Sequence, residues 1–404
     1  MSKVFRRGST TFTILFSHQK IFQLHWHLNK SHDNSTLESQ DFPPSVGDFF
    51  QERIDKFISD ESDERRRRLK RGFCDWFWKW ELVDTGVSDL KQQSVRSWIE
   101  YVDYDMDNKF DEGEPILEGG YSKLVEFLLT SLHDRATLLT NRKCRKILWN
   151  TSEKVKVALE TGEVYEGDAV IVALPLGVLK HDHQTMFEPS LPSQKIEIIE
   201  QLEFGLMNKI FLEFDEMFWD SDNPGLQFIM TEEAEVDLDN LADTWMRAVA
   251  GFDSVCGQPR VLCGWINGDA AAYMETLTND QILDTCWSLL RKYVGDHVPR
   301  PATCHPSRWG CNPNIRGSYS YTTPACDTLA LSADDLAAPV TDKHGKQRIF
   351  FCGEVMLLSS HYNLMKYFQA SDRTHYGTVT GAMVSGVREG VRLSKLLSLP
   401  EQHQ

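Results

Sequence analysis

Hydrophobic positions along the chain change period several times, and each change marks an element. Over residues 45–80, Phe49, Phe50, Ile54, Phe57 and Ile58 recur at spacings of three and four, which predicts an amphipathic helix. Leu124, Val125, Leu128, Leu129 and Leu132 repeat that spacing after the turn Leu117-Glu-Gly-Gly-Tyr-Ser122. Residues 154–160 and 164–166 flank Thr161-Gly162 as the two arms of a hairpin. Ala169-Val-Ile-Val-Ala-Leu174 is apolar without alternation, as a strand covered on both faces would be. Lys209-Ile-Phe-Leu-Glu-Phe214 and residues 260–266 alternate, as half-buried strands do. Residues 278–295 form a helix opened by the capping box of Thr278 and Gln281, with the stripe Ile282, Leu283, Cys286, Leu289, Leu290 and Tyr293. Strands and helices therefore intermix, which predicts an α/β or α+β enzyme fold.

The pattern is most suggestive near the end. Arg348-Ile-Phe-Phe-Cys-Gly-Glu354 is a short apolar strand closing on a Gly-Glu pair. Thr374-His-Tyr-Gly-Thr-Val-Thr-Gly381 then leads through small residues into the helical run Ala382-Met-Val-Ser-Gly-Val-Arg-Glu-Gly-Val-Arg-Leu393. Such a unit offers a carboxylate to a hydroxylated ligand and a helix N-terminus to an electron-rich one. A buried strand with its following helix is the plain alternative.

Composition narrows the classes. A chain of 404 residues with 41% apolar content can bury a large core in two domains. Eleven Trp and 22 Phe suit an enclosed, lined pocket. A formal charge of −16 argues against nucleic acid and favours encounter with cations. Nine cysteines with no Cys-x-x-Cys pair argue against a disulfide framework or zinc, and place the chain in the reducing cytoplasm. No apolar run reaches transmembrane length. Residues 1–44 lack a clear period and read as a poorly ordered N-terminus. Arg65-Arg-Arg-Arg-Leu-Lys-Arg71 reads as a charged helix face, with a nuclear signal as the alternative. Asp103-Tyr-Asp-Met-Asp-Asn-Lys-Phe-Asp-Glu-Gly-Glu114 has the acidic spacing of a calcium loop, but Asn108 replaces its glycine and Pro115 blocks the exit helix. A solvated acidic loop is the preferred reading, and no metal is assigned.

Several phrases carry a resemblance together. They are Glu118-Gly-Gly-Tyr-Ser-Lys-Leu-Val125, Val170-Ile-Val-Ala-Leu-Pro-Leu-Gly-Val-Leu-Lys180, Asn208-Lys-Ile-Phe-Leu-Glu-Phe214 with Phe218-Trp219, and Leu262-Cys-Gly-Trp-Ile266. Arg308-Trp-Gly-Cys-Asn-Pro-Asn-Ile-Arg-Gly-Ser-Tyr-Ser-Tyr321, Gly353-Glu354 and Gly381-Ala382 complete the set. In order and spacing the chain resembles the flavin-containing amine oxidases, most closely the spermine and polyamine oxidases. The resemblance implies FAD, a small cationic polyamine and O2 as partners. The implied reaction oxidises a secondary amine of spermine or an N-acetylated polyamine to an aldehyde, a shorter amine and H2O2. It implies Lys209 as the catalytic lysine beside the flavin, Tyr319 and Thr378 at the substrate, and Glu354, Trp309, Gly353, Thr380, Gly381 and Cys144 as cofactor contacts.

The resemblance also implies a division of the chain. Residues 45–114 and 186–340 would form the substrate-binding domain, and residues 115–185 and 341–404 the remnant of a Rossmann-like FAD-binding domain. Two departures stand out. The 404 residues hold no Gly-x-Gly-x-x-Gly after a strand, the cradle a dinucleotide pyrophosphate ordinarily takes. Residues 356–371 read as an insertion between Gly-Glu and the His-Tyr segment. A second function class therefore stands beside the oxidase: a catalytically inactive relative that acts by binding or regulation.

Overall fold

A computed structural model describes residues 42–99, 119–132, 135–151, 153–220, 225–230, 244–355 and 377–398, together with the strand β1 (Phe12–Thr13). The acidic loop 103–114, the insertion 356–371 and nearly all of 1–44 lie outside the described residues. The stripe over 45–80 belongs to two helices, α1 (Val46–Ser59) and α2 (Glu64–Thr85), not one. Asp63 causes the break: its side chain accepts a hydrogen bond from the Arg66 N–H and caps α2. Arg66, Arg67, Arg68 and Lys70 pair with Glu61, Asp63 and Glu64, so the basic run is a charged helix face. A later helix, α3 (Tyr121–Leu132), buries none of its residues.

β2 (Cys144–Leu148), β3 (Val155–Leu159) and β4 (Val164–Gly167) follow. β3 and β4 form the expected hairpin, with Gly162 at φ +89° in the turn. β5 (Val170–Val172) leads through Pro175 into α4 (Leu176–Met186), and β6 (Phe187–Glu188) joins β2 to complete a four-stranded sheet. β5 pairs in parallel with the last strand of the chain. It is not covered on both faces, since Ile171 keeps 39% of its surface exposed, and among the described residues it is the outer strand of its sheet.

After α5 (Ser193–Gln201) and β7 (Glu203–Phe204), the largest sheet is built from β8 (Met207–Glu213), β9 (Gly225–Ile229), β10 (Gly251–Val255) and β11 (Gln258–Asn267). α6 (Gly268–Glu275) and α7 (Asn279–Val294) come next, and β12 (Thr303–Pro306) returns to the sheet, whose order is β1-β9-β10-β11-β8-β12. β8 alternates as expected: Asn208, Ile210 and Leu212 are buried while Lys209 and Phe211 are half-buried. α7 carries its capping box, and all six stripe residues are buried against Ile210, Leu212 and Phe252 of the sheet. Each such side chain contributes about 1.5–3 kcal/mol by leaving water.

The chain closes with β13 (Ser320–Tyr321), α8 (Pro324–Leu329), α9 (Ala333–Ala337), β14 (Val340–Thr341), β15 (Gln347–Phe351) and α10 (Val379–Ser398). A second core joins Ile147, Val172, Ile198, Leu336, Ile349 and Phe351. A buried ionic knot fixes α10 to it. Arg388 donates to the Phe351 carbonyl at 2.9 Å and to Glu389, whose same oxygen accepts from Arg392 at 2.9 Å. The nine cysteines are all free. Among the described residues no helix is long and apolar enough to cross a membrane.

Candidate functional site

β15 ends at Phe351, and Gly353 turns the chain at φ +155°. Ser385 on α10 clamps that turn: its Oγ accepts from the Gly353 N–H at 3.0 Å and lies 3.0 Å from the Gly353 carbonyl oxygen. Among the described residues nothing lies within 4 Å of where a Cβ on Gly353 would stand. Glu354 follows and points back into the protein. Its Oε2 accepts from Ser320 Oγ at 2.8 Å and from the Gly377 N–H at 2.9 Å, tying β13 to the turn before α10. Burial pushes the Glu354 carboxyl above the ordinary glutamate value, against the opposing pull of those bonds.

Thr378 closes the turn by accepting the Gly381 N–H on Oγ1 at 3.0 Å, which caps α10. Gly381 is buried there and Thr380 is exposed. Tyr319 packs against the same turn: a Cβ on Gly377 would stand 3.6 Å from the Tyr319 Cβ. The Tyr319 hydroxyl donates to the Val83 carbonyl in the last turn of α2, and its ring rests on Gly86, where a Cβ would come within 2.9 Å of it.

Lys209 reaches this cluster through the backbone. The Lys209 N–H donates to Ser307 Oγ and the Ser307 N–H returns to the Lys209 carbonyl, both at 2.8 Å. Asn208 Oδ1 accepts from Ser307 Oγ at 2.8 Å and from the Trp309 N–H at 3.2 Å. The Trp309 carbonyl accepts from Gly317 at 3.2 Å, two residues before Tyr319. The Lys209 ammonium lies 4.5 Å from the centre of the Trp265 ring, whose Nε1–H donates to Asp253 at 2.9 Å. Trp309 is 41% exposed.

Eight of the nine residues singled out in the sequence thus lie on one connected run of strands and turns. Cys144 stands apart, at the start of β2 in the four-stranded sheet. The reading missed Asn208, Glu275, Ser307, Ser320 and Ser385. Each is an ordinary polar residue whose partner is remote in the sequence, and only Gly310, placed under the Glu275 carboxylate, left a trace.

The sequence profile of the flavin-containing amine oxidoreductases matches residues 27–393. The chain belongs to that family. It is 32% identical over 372 residues to the human peroxisomal N(1)-acetyl-spermine/spermidine oxidase, covering 87% of this chain and 68% of that protein. It is 29% identical to the probable polyamine oxidase 5 of Arabidopsis thaliana over 386 residues, 87% of this chain and 69% of that one. A lysine-specific histone demethylase 1 homolog of the same plant is 31% identical, over 84% of this chain and 19% of its own length. Among solved structures, a triple mutant of a putrescine oxidase redesigned for cofactor binding superposes with a TM-score of 0.50 at 20% identity. That match covers 69% of this chain and 53% of the other, so the chain spans about half the length of the solved protein. The fold is an α/β amine-oxidase-like fold.

The residues present fit one end of the family's flavin. Gly353, with no described residue within 4 Å of an added Cβ, the half-buried Glu354 carboxylate and the exposed Trp309 ring are groups of the kind a flavin's hydroxylated chain and ring would meet. Within the 404 residues no Gly-x-Gly-x-x-Gly supplies the N–H groups that a pyrophosphate takes.

Proposed function

We propose that this chain is an FAD-dependent polyamine oxidase acting on a secondary amine of spermine or an N-acetylated polyamine. The observation that carries the reading is the continuous path from Lys209 through Asn208, Trp309 and Tyr319 to the turn at Gly377 and Thr378, ending on Glu354. FAD, when bound, accepts two electrons from the amine-bearing carbon and passes them to O2, giving H2O2, while water splits the resulting imine into an aldehyde and a shorter amine.

The chain's own residues supply position. Glu354 would accept hydrogen bonds from the cofactor's hydroxylated chain, and Gly353, Thr380 and Gly381 would let the cofactor approach the start of α10. Trp309 would contact the cofactor, and Cys144 would meet its adenine through the backbone of its strand. Tyr319 would offer an aromatic face to the arriving cation, with Thr378 on the opposite side. Lys209 would hold a water beside the flavin. Residues 45–114 and 186–340 form the substrate side, and residues 115–185 and 341–404 the cofactor side. The cytoplasm is the compartment drawn from the cysteine usage, whereas the human relative's name is peroxisomal.

Purified protein, assayed for H2O2 release with spermine and N-acetylspermine, tests the reading. Release by the parent chain and slowed flavin reduction in Lys209→Met support it. A parent that binds flavin yet releases nothing with either amine leaves the inactive relative as the function.

A further inference from the structure

The loop after β12 carries Trp309, and a carboxylate on another element holds it. Glu275 is the last residue of α6. Its Oε1 accepts from Asn208 Nδ2 at 2.7 Å and from the Gly310 N–H at 2.8 Å, and its Oε2 accepts from the Cys311 N–H at 2.6 Å. The Glu275 backbone carbonyl takes Arg308 Nε at 3.4 Å, and Arg308 also donates to the Leu277 carbonyl and Asn279 Oδ1, both at 2.9 Å. A Cβ on Gly310 would stand 3.1 Å from both carboxylate oxygens and 3.0 Å from the Leu206 side chain, so any larger residue there must push the carboxylate or Leu206 back by a few tenths of an ångström. Charge-assisted N–H bonds to a carboxylate are about twice as strong as neutral ones, and three of them converge here.

We infer that Glu275 is a positioning residue, which fixes the loop of Trp309 through the Gly310 and Cys311 N–H groups, and Lys209 through Asn208 and Ser307. Asn208 is the junction. Its amide N–H is held by Glu275, which orients its Oδ1 toward Ser307 and the Trp309 N–H. Ser307 in turn receives the Lys209 N–H. One carboxylate therefore sets the separation between the aromatic cover and the lysine. The catalytic side of this inference rests on the polyamine-oxidase reading; the clasp itself does not.

Two measurements test it on the full chain. In cofactor-free protein, amide hydrogen exchange over residues 309–311 accelerates about tenfold or more in Glu275→Ala, partly recovers in the isosteric Glu275→Gln, and stays unchanged over α7. In flavin-loaded protein, Glu275→Ala and Trp309→Ala each slow flavin reduction by spermine about tenfold, and the double variant loses less than the product of the two. Unchanged exchange in both Glu275 variants overturns the inference, as do losses that multiply in the double variant. A parent chain that takes up no flavin defeats the polyamine-oxidase reading and leaves the exchange measurement to decide the clasp.

Discussion

Gly205 stands where three parts of the site meet, and Gly205→Ala tests whether that meeting is as close as described. A Cβ at this position would lie 2.5 Å from the Gly86 carbonyl oxygen, 2.8 Å from its carbon and 3.0 Å from its Cα. All three atoms are backbone, so no side chain can swing aside. Three hydrogen bonds converge on the junction: Gly205 N–H to the Tyr319 carbonyl and Ser318 N–H to the Gly205 carbonyl, both at 2.7 Å, and Leu206 N–H to the Gly86 carbonyl at 2.9 Å. Relief requires the strand to leave Gly86, which breaks at least the last of these at about 0.5–1.5 kcal/mol. Strain of the crowded backbone adds about 1–3 kcal/mol. The expected cost is therefore about 2–4 kcal/mol, read as a lower urea midpoint in cofactor-free protein. Gly390→Ala is the matched control. It lies within α10 with nothing among the described residues within 4 Å of the added carbon, and should gain about 0.5–1 kcal/mol from helix propensity. Equal midpoints for Gly205→Ala and the parent would refute the close approach.

Glu354→Gln keeps an acceptor for Ser320 and Gly377 and removes a carboxylate held above its usual titration range. Cofactor-free stability near neutral pH should hold while FAD affinity, measured by fluorescence titration, falls about 10–100-fold, the worth of one charged hydrogen bond. Unchanged affinity would remove Glu354 from the cofactor contacts. Burial lowers the Lys195 ammonium to about 7, although Asp335 and Glu389 favour its charge and the carbonyls of Asp335, Leu336 and Ala338 receive its protons. Between pH 7 and the ordinary lysine value of 10.5, the unfolded chain holds a proton that the folded chain lacks. Stability then rises with pH by up to about 1.4 kcal/mol per unit. Buried thiols such as Cys263, raised to about 12, reverse the trend above pH 9, so the window is pH 7–9. Urea midpoints of the parent should climb through that window relative to Lys195→Met; parallel curves would count against the buried charge.

Local pattern carried much of the architecture. The α7 stripe, its capping box, the β3–β4 hairpin and the β8 alternation were legible because each depends on residues a few positions apart. Two expectations failed, one for a local reason and one for a tertiary one. The helical stripe over 45–80 continues across Asp63, whose cap starts a new helix, and the apolar β5 is, among the described residues, the outer strand of its sheet. For the site, the motifs marked Lys209, Trp309, Tyr319, Thr378 and Glu354, but not what joins them. Asn208 and Glu275 are 67 residues apart and Ser320 and Glu354 are 34 apart, distances over which composition and period hold no information. The burial of Arg388 and Glu389 against Phe351 follows only from how α10 docks.

The proposed function stands on two properties of this chain: that it binds a flavin and that a polyamine reduces the bound flavin. Purified protein supplied with FAD, passed through gel filtration and then mixed anaerobically with spermine tests this in one experiment. The account predicts yellow protein whose flavin absorbance elutes with the chain, bleaches on adding spermine and returns on admitting O2. Colourless protein after gel filtration, or bound flavin that spermine leaves oxidised, would contradict it.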